Sequence, residues 1–600
     1  MTIFAIQKQI SHSMNTGKYI NSCYYDFKDY GIMKLFLKKN NSIWLILLLC
    51  VFNLLVMHYY IFLTGGIGRD VNILVFANNA LGISIDVCFL FLVIYVISIF
   101  SIKLTLYLSY YLSLCWAFSN IMYSRFFQHY ISLSAIGQGD SLFDQLMLTI
   151  LIDGIRWFDC FFIISIVVFY FIIRNIDNYD KPRMIILKVI GIFVFILISN
   201  ISCHLLWCVQ KPECRYFSYF LNLYNRNHFS QDNFFINPKD YYFERGCFRS
   251  LASELYFNLQ GSIDLEKDNK IDEIRKELVF SGTTVRKQNF DKNIIFILME
   301  SYMSFTSDLR MDGKEITPFL NSLKKDSSVY YNGSMMENVT IGESSDGQFI
   351  YMTGLLPLRS VVTVSKATHV KLPGLPQKLS RESRMIIPTI KSIWNQEAMC
   401  KQYGFDHLYT SEDYSMDHET YLNDEQVFDL AIEKDKSSKQ PFFSVILTMS
   451  MHQPYVKQID SSFPINDLSI PKDLACYLNA CHYTDHQIQR YFAYLKETGL
   501  YDNSLIIIAS DHCVHNTDFG GVDKQIPLYI IHSTVKPDEM SQSECNQLDV
   551  YTTLLDLLGC KSEWYGLGRS LASTNYKKKL TPKLWNVSEW IIMGDFFSYH

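Results

Sequence analysis

From Ile43 to Leu63 the chain reads IWLILLLCVFNLLVMHYYIFL, without a single Asp, Glu, Lys or Arg. At 1.5 Å per helical residue such a run crosses a hydrocarbon core of roughly 30 Å, the length of a transmembrane helix. Four more runs meet the same criterion, at about 82–100, 104–122, 158–173 and 184–208. Buried helices of a soluble core account for one or two such runs but not for five in the first third of a chain. The spacing therefore predicts a membrane α-helical domain of five transmembrane helices over residues 43–208, behind an N-terminal arm, 1–42. A cleaved signal peptide fits poorly, since the first apolar run starts late and has no small-residue cleavage site behind it.

Basic residues orient these spans. Lys8, Lys18, Lys28, Lys34, Lys38 and Lys39 precede the first, Lys103 lies between the second and third, and Arg174, Lys181 and Arg183 lie between the fourth and fifth; the opposite loops hold Arg69, Arg125 and Arg156. The positive-inside rule makes the N-terminus cytoplasmic, and an odd number of spans puts everything after Cys208 outside. Asp86 and Asp159 fall at predicted span ends and read as solvated interfacial acids. The stretch SRFFQHYISLSAIGQGDSLFDQL is too polar to span and reads as lying along the outer interface.

Past Lys211 the character changes. Residues 209–290 mix aromatics with a charged stretch, IDLEKDNKIDEIRKEL, and read as a linker with a surface helix. From 291 to 600 come short apolar runs, NIIFILME, PFFSVILTMS, NSLIIIASD and IPLYIIH, with helical patterns such as TPFLNSLKK and QLDVYTTLLDLLG among them. Continuous β-branched runs belong to strands covered on both faces, so this half reads as an α/β domain with a mostly parallel sheet flanked by helices. A net charge of −5 without a basic block excludes a nucleic-acid partner, and a hydrophobic share of 49% excludes intrinsic disorder.

Ligands of parallel sheets bind at the carboxyl ends of strands. Those ends carry Glu300 after the first run, His452 close behind FFSVILTMS, and Asp511 with His512 directly after NSLIIIAS. An acid, an Asp-His pair and a second His on one rim form a donor set suited to Mn²⁺ or Zn²⁺. In ENVTIGESSDGQF, Ser344 stands where a helix starts; it reads equally as an N-cap or as a nucleophile activated beside a cation.

These residues have a familiar order. LMES at 298–301, GESSD at 342–346, TMSMHQPY at 448–455 and SDH at 510–512, behind five spans, resemble the lipoteichoic acid synthase type of membrane phosphotransferase, in the alkaline phosphatase and sulfatase superfamily. The likeness extends to TPFLNSL, HYTDHQIQRYFAYLKETGLYDNSLIIIASDH and QLDVYTTLLDLLG. It implies an alkaline phosphatase-like sulfatase domain at 291–600, with Glu300, Ser344, Asp511 and His512 as ligands of one divalent ion, Mn²⁺ first and Zn²⁺ or Mg²⁺ as alternatives. Ser344 becomes the nucleophile where the synthases usually have threonine, and His452 the histidine facing substrate and leaving group. Trp394 matches a substrate-site tryptophan, whereas Gln396 falls where the synthases carry arginine, whose charged bidentate grip on phosphate glutamine lacks.

The resemblance implies transfer of a phospholipid head group, phosphoglycerol, through a phosphoserine to a glycan or glycolipid acceptor, at the plasma membrane and outside the cytoplasm. The donor is phosphatidylglycerol or phosphatidylethanolamine, so a phosphoethanolamine transferase is the alternative, ahead of a sulfatase, another phosphoester hydrolase or a non-catalytic membrane protein. A sulfatase needs a formylglycine made from Cys or Ser followed two residues on by Pro or Ala and then by Arg; Ser344 is followed by Ser345, Asp346 and Gly347. Of the cysteines, Cys476 with Cys481 and Cys208 with Cys214 are the pairs closest in sequence for disulfides in an oxidising compartment.

Overall fold

The computed structural model describes residues 39–64, 73–127 and 155–174, most of 291–599, and parts of 130–133, 176–198, 246–255 and 263–278. Among the described residues of the N-terminal part, the long helices are α1 (Lys39–Thr64), α2 (Ile73–Ile97), α3 (Ile102–Phe127) and α4 (Cys160–Ile173). Each turns one apolar face to the others, burying Ile46, Leu54, Phe91, Leu106 and Phe169, while Leu48, Phe52, Leu92, Tyr111, Ile163 and Val167 face outward exposed. Two stretches, Ser42–Ile61 and Asn79–Ile97, are long and apolar enough to cross a membrane, and Trp157–Ile173 is a shorter apolar helix. The fifth expected span and the stretch at 124–146 lie largely outside the described residues, as does the arm before Lys39.

The interfacial reading of the two acids is corrected. Asp86 is fully buried between helices, with His58 Nε2 3.0 Å from one of its oxygens. Asp159 is buried too, gripped by both nitrogens of the Arg125 fork at 2.9 and 2.7 Å. An isolated carboxylate costs too much inside an apolar bundle, so each has a partner from another helix or segment.

In the C-terminal half the elements are β1 (Asn293–Met299), α6 (Pro318–Lys325), β2 (Val329–Met336), α7 (Ser344–Thr353), β3 (Glu382–Ile386), α8 (Gln396–Tyr403), β4 (His407–Tyr409), α9 (Asp424–Ser437), β5 (Phe442–Leu447), α10 (Lys472–Glu497), β6 (Ser504–Ser510), β7 (Ile526–Ile531), β8 (Cys545–Asn546), α11 (Asp549–Leu557) and α12 (Pro582–Met593), preceded by α5 (Ile271–Glu277). The sheet order is β8-β2-β7-β6-β1-β5-β3-β4. The expected apolar strands pair in parallel as β6-β1-β5, with every residue of β1 buried. Only β7 runs against its neighbours β2 and β6, which makes the sheet mixed.

Two further expectations change. The charged stretch before the sheet does carry a surface helix, α5, but that helix is docked on the domain. Ile274 is fully buried, the Ile263 N–H donates to the Met593 carbonyl, and Glu277 pairs with Lys579 and Lys583, so the segment packs on α12. Cys476 and Cys481 are both free. They lie five residues apart on α10, about 500° round the axis at 3.6 residues per turn, so their sulfurs leave the helix in different directions. Cys208 and Cys214 are outside the described residues.

Candidate functional site

Three adjacent parallel strands end together and deliver the chemistry to one edge. In register, Met299 of β1 lies beside Ser510 of β6, and Leu298 beside Leu447 of β5, so Glu300, Asp511 and Thr448 emerge as neighbours. The rim is stitched by its own backbone. The Glu300 N–H donates to Thr448 Oγ1 at 2.9 Å, and the N–H groups of Ser301 and His512 donate to Asp511 Oδ1 at 2.8 and 2.7 Å. Ser301 reaches Glu300 Oε1 with its hydroxyl at 2.7 Å and holds a left-handed φ of 50° to do so.

Helix α7 brings the fourth group. Gly347 lets it press on the strand edge, since a Cβ there would stand 2.5 Å from the Asp511 carbonyl oxygen, and Tyr351 donates to the Ser510 carbonyl one turn on. The turn leading into α7 is held by Asp346, whose Oδ2 accepts from the N–H and hydroxyl of Thr340 and the N–H of Gly342. Burial pushes the Asp346 carboxyl up to about 6 against the pull of those donors. Ser344 is thereby set with Oγ 3.0 Å from both Glu300 Oε2 and His512 Nε2.

Glu300, Asp511 and His512 offer donor atoms within 4.8 Å of one another, all buried. His512 Nε2 is 3.7 Å from both Glu300 Oε1 and Asp511 Oδ2, and its Nδ1 faces the Cys513 carbonyl at 2.7 Å, leaving Nε2 for the cluster. Ligands about 2.0–2.2 Å from a tetrahedral ion stand about 3.4 Å apart, so these four donors fit one divalent cation. Burial pulls the His512 imidazole down, but Asp511, Glu300 and Glu343 hold it well above its ordinary range. Burial and the Glu300 charge push Asp511 up, while His452 and His512 outweigh burial to keep Glu300 low.

The remaining expected residues take separate places. His452 is exposed on the loop after β5, its Nδ1 2.5 Å from the Gln453 carbonyl, near enough for its charge to act on Glu300. Trp394 is half-buried in a left-handed conformation, φ 52°. Gln396 is buried at the start of α8 and donates to Gln348 Oε1 at 2.9 Å, one helical turn along from Ser344; its own Oε1 is buried without a hydrogen-bond partner. Sequence reading missed Glu343, whose carboxylate lies 3.8 Å from His512 Nδ1, and Asp346; both stood inside GESSD, where two acids flanking the serines were the available signal. It also missed Tyr455, buried with a φ of 64° and donating its N–H to the His452 carbonyl at 3.0 Å.

Fold and donor set together give an α/β domain with a candidate divalent-cation site beside a serine hydroxyl at a helix start. Residues 292–560 match the family model described as Sulfatase, and this stretch carries a sulfatase-family domain. The chain is also similar to curated proteins named as lipoteichoic acid synthases. Lipoteichoic acid synthase 2 of Bacillus subtilis (strain 168) is 27% identical over 498 residues, 78% of this chain and 73% of that one. Lipoteichoic acid synthase 1 of the same organism is 30% identical over 316 residues, 48% of each chain, so that match spans about half of the relative. Among solved structures, the lipoteichoic acid synthase LtaP from Listeria monocytogenes is 18% identical, covers 55% of this chain and 97% of its own, and superposes with a TM-score of 0.43.

Proposed function

We propose that the chain is a multi-pass, membrane-anchored phosphotransferase, with five spans, a cytoplasmic N-terminus and its domain from about 291 onward outside. It moves the phosphoglycerol head group of a phospholipid to a glycan or glycolipid acceptor. The observation that carries this reading is Ser344 Oγ, held 3.0 Å from both Glu300 and His512 at the first turn of α7. Exposed apolar faces on α1–α4 support the anchor.

Glu300, Ser344, Asp511 and His512 would hold the ion, Mn²⁺ by preference, with Zn²⁺ and Mg²⁺ as alternatives. Such an ion lowers the pKa of a bound hydroxyl and neutralises charge on a transferring phosphoryl group. Ser344 Oγ, its proton released to solvent and its charge in the positive field of the α7 N-terminus, attacks phosphorus in line. The phosphorus–oxygen bond to diacylglycerol breaks, and His452 gives that oxygen its proton. The acceptor hydroxyl then attacks the phosphoserine, returns its proton to His452 and frees Ser344. Trp394 and Gln396 line the substrate side.

Gln396 keeps a second head group in view. A neutral buried amide replaces a cation there, which suits ethanolamine phosphate as well as glycerophosphate. Intact mass of the full-length protein after incubation with phosphatidylglycerol or phosphatidylethanolamine and Mn²⁺, beside Ser344→Ala, decides. A glycerophosphate adduct absent from the variant is expected, an ethanolamine phosphate adduct selects the second reading, and metal binding without any adduct refutes both.

A further inference from the structure

The N-terminal helices and the segment that leads to the sulfatase-family domain meet at a built contact. Asp86, in the middle of α2, is fully buried, and its carboxylate accepts the N–H of Cys247 on Oδ2 and the N–H of Phe248 on Oδ1, each at 2.8 Å. Those donors belong to the segment connecting the helices to the catalytic half, more than 160 residues away along the chain. His58 of α1 stands behind the carboxylate, with Nε2 3.0 Å from Oδ2 and Nδ1 2.6 Å from the Tyr130 hydroxyl. The connecting segment fits side chains as well as backbone. The Phe248 ring lies 3.7 Å from that of Phe89, one turn along α2 from Asp86, and 6.1 Å from Trp116 of α3; Cys247 is fully buried with its sulfur 3.8 Å from Asn120 Oδ1. Close approach depends on Gly246, which has φ +72° and where a Cβ would stand 3.0 Å from both Asp86 Oδ2 and the Gly82 backbone.

A second touch lies elsewhere. Arg156, just before α4, faces Asp473 in the first turn of α10 at 3.6 Å. One turn further along α10, the Tyr477 hydroxyl donates to the Ser301 carbonyl beside Glu300. Helix α10 therefore carries both this contact and a hydrogen bond to the catalytic rim. This second contact is half-exposed and worth little by itself, which leaves the buried carboxylate as the fixed point.

We infer that Asp86 is a positioning residue: its carboxylate anchors the Gly246–Phe248 turn in the helical bundle and so sets where the metal site stands over the bilayer, and with that its reach to lipid head groups. Charged groups inside a bundle are retained where they do a job, and a carboxylate spanning two backbone donors is a strong, directional one. Only the lipid-turnover arm of this inference rests on the proposed phosphotransferase activity.

The test uses the full chain in phosphatidylglycerol nanodiscs with Mn²⁺, comparing wild type, Asp86→Asn, Gly246→Ala and the double variant. Asparagine keeps the shape and one acceptor but loses the charge and the second. Alanine disturbs the same contact from the connecting segment and leaves the helices untouched. Amide exchange over 246–250 is read together with head-group transfer from the lipid and hydrolysis of a water-soluble diester, bis-p-nitrophenyl phosphate. Losing a hydrogen bond to a charged group is worth roughly ten- to a hundredfold. Protection at Cys247 and Phe248 is expected to fall by that factor in each single variant, with no further fall in the double. Lipid turnover should drop at least about tenfold while the soluble diester is hydrolysed at the wild-type rate. Unchanged protection in both variants overturns the anchor, and an equal loss on both substrates overturns its positioning role. A wild type inactive on both substrates sinks the proposed function, and exchange then still decides the anchor.

Discussion

Gly347 sits three residues into α7, where the helix lies against the end of β6, and replacing it by alanine tests what holds Ser344 in place. The added Cβ would stand 2.5 Å from the Asp511 carbonyl oxygen and 2.9 Å from its Cα, both backbone-bound atoms that cannot swing away. Ordinary contact starts near 3.4 Å, so helix and strand edge must part by about 0.9 Å. Overpacking of that kind costs about 1–3 kcal/mol, which a domain with so large a buried sheet survives. The functional cost is greater. Ser344 rides on the same turn and its 3.0 Å approaches to Glu300 and His512 open with it, and a misplacement of about 1 Å is worth about 100-fold in rate. The assay is quenched intact mass with phosphatidylglycerol and Mn²⁺, alongside thermal unfolding to show that the variant is folded. Adduct formation about 100-fold slower in a folded protein is expected. Gly347→Ala forming adduct at the wild-type rate would refute the claim that packing of α7 on Asp511 sets the nucleophile.

Other expectations follow from the same coordinates. Glu300→Gln removes one charged donor from a cluster of four and should weaken Mn²⁺ binding at least about tenfold by calorimetric titration, with the fold intact; unchanged affinity would move the ion elsewhere. Asp485, buried where it accepts the Phe319 and Leu320 N–H groups at the start of α6, is pushed up to about 7 by burial. A carboxyl raised on folding contributes stability that is complete below its unfolded value near 3.9 and is lost as pH rises through about 7, up to about 4 kcal/mol. Asp485→Asn should flatten the pH dependence of the melting temperature between those limits. A soluble fragment starting at 291 lacks Leu265 and Ile274, two buried apolar side chains each worth about 1.5–3 kcal/mol, and should melt several degrees below one starting at 262 in a calorimetric scan; equal melting would restore a free linker.

Reading the residues in order reaches far into this molecule where the signal is local. An uncharged run such as Ile43–Leu63 announces a helix with an apolar environment because a charge anywhere in it would cost several kcal/mol. NIIFILM and SLIIIAS announce strands covered on both sides, and they are adjacent parallel strands with every residue buried. Their last residues point to Glu300, Asp511 and His512, which the structure brings within 4.8 Å of one another. The reach ends where a residue's environment comes from elsewhere in the chain. Asp86 reads as a span-end acid until His58 and the Cys247 and Phe248 amides, 28 residues before it and 161 and 162 after it, are folded around it.

Local sequence was enough for the first apolar helices, for the buried strands, and for an acid, an Asp-His pair and a serine at the boundaries of those elements, because hydrophobic periodicity and strand ends are properties of neighbours along the chain. Only the tertiary structure decided that Ser344 Oγ meets Glu300 and His512 at 3.0 Å, that β7 runs against the sheet, that α5 packs on α12, and that the connecting turn seats on Asp86. Those are pairings between residues up to hundreds of positions apart. Their distances follow from backbone register and close packing, and no single stretch of sequence contains either.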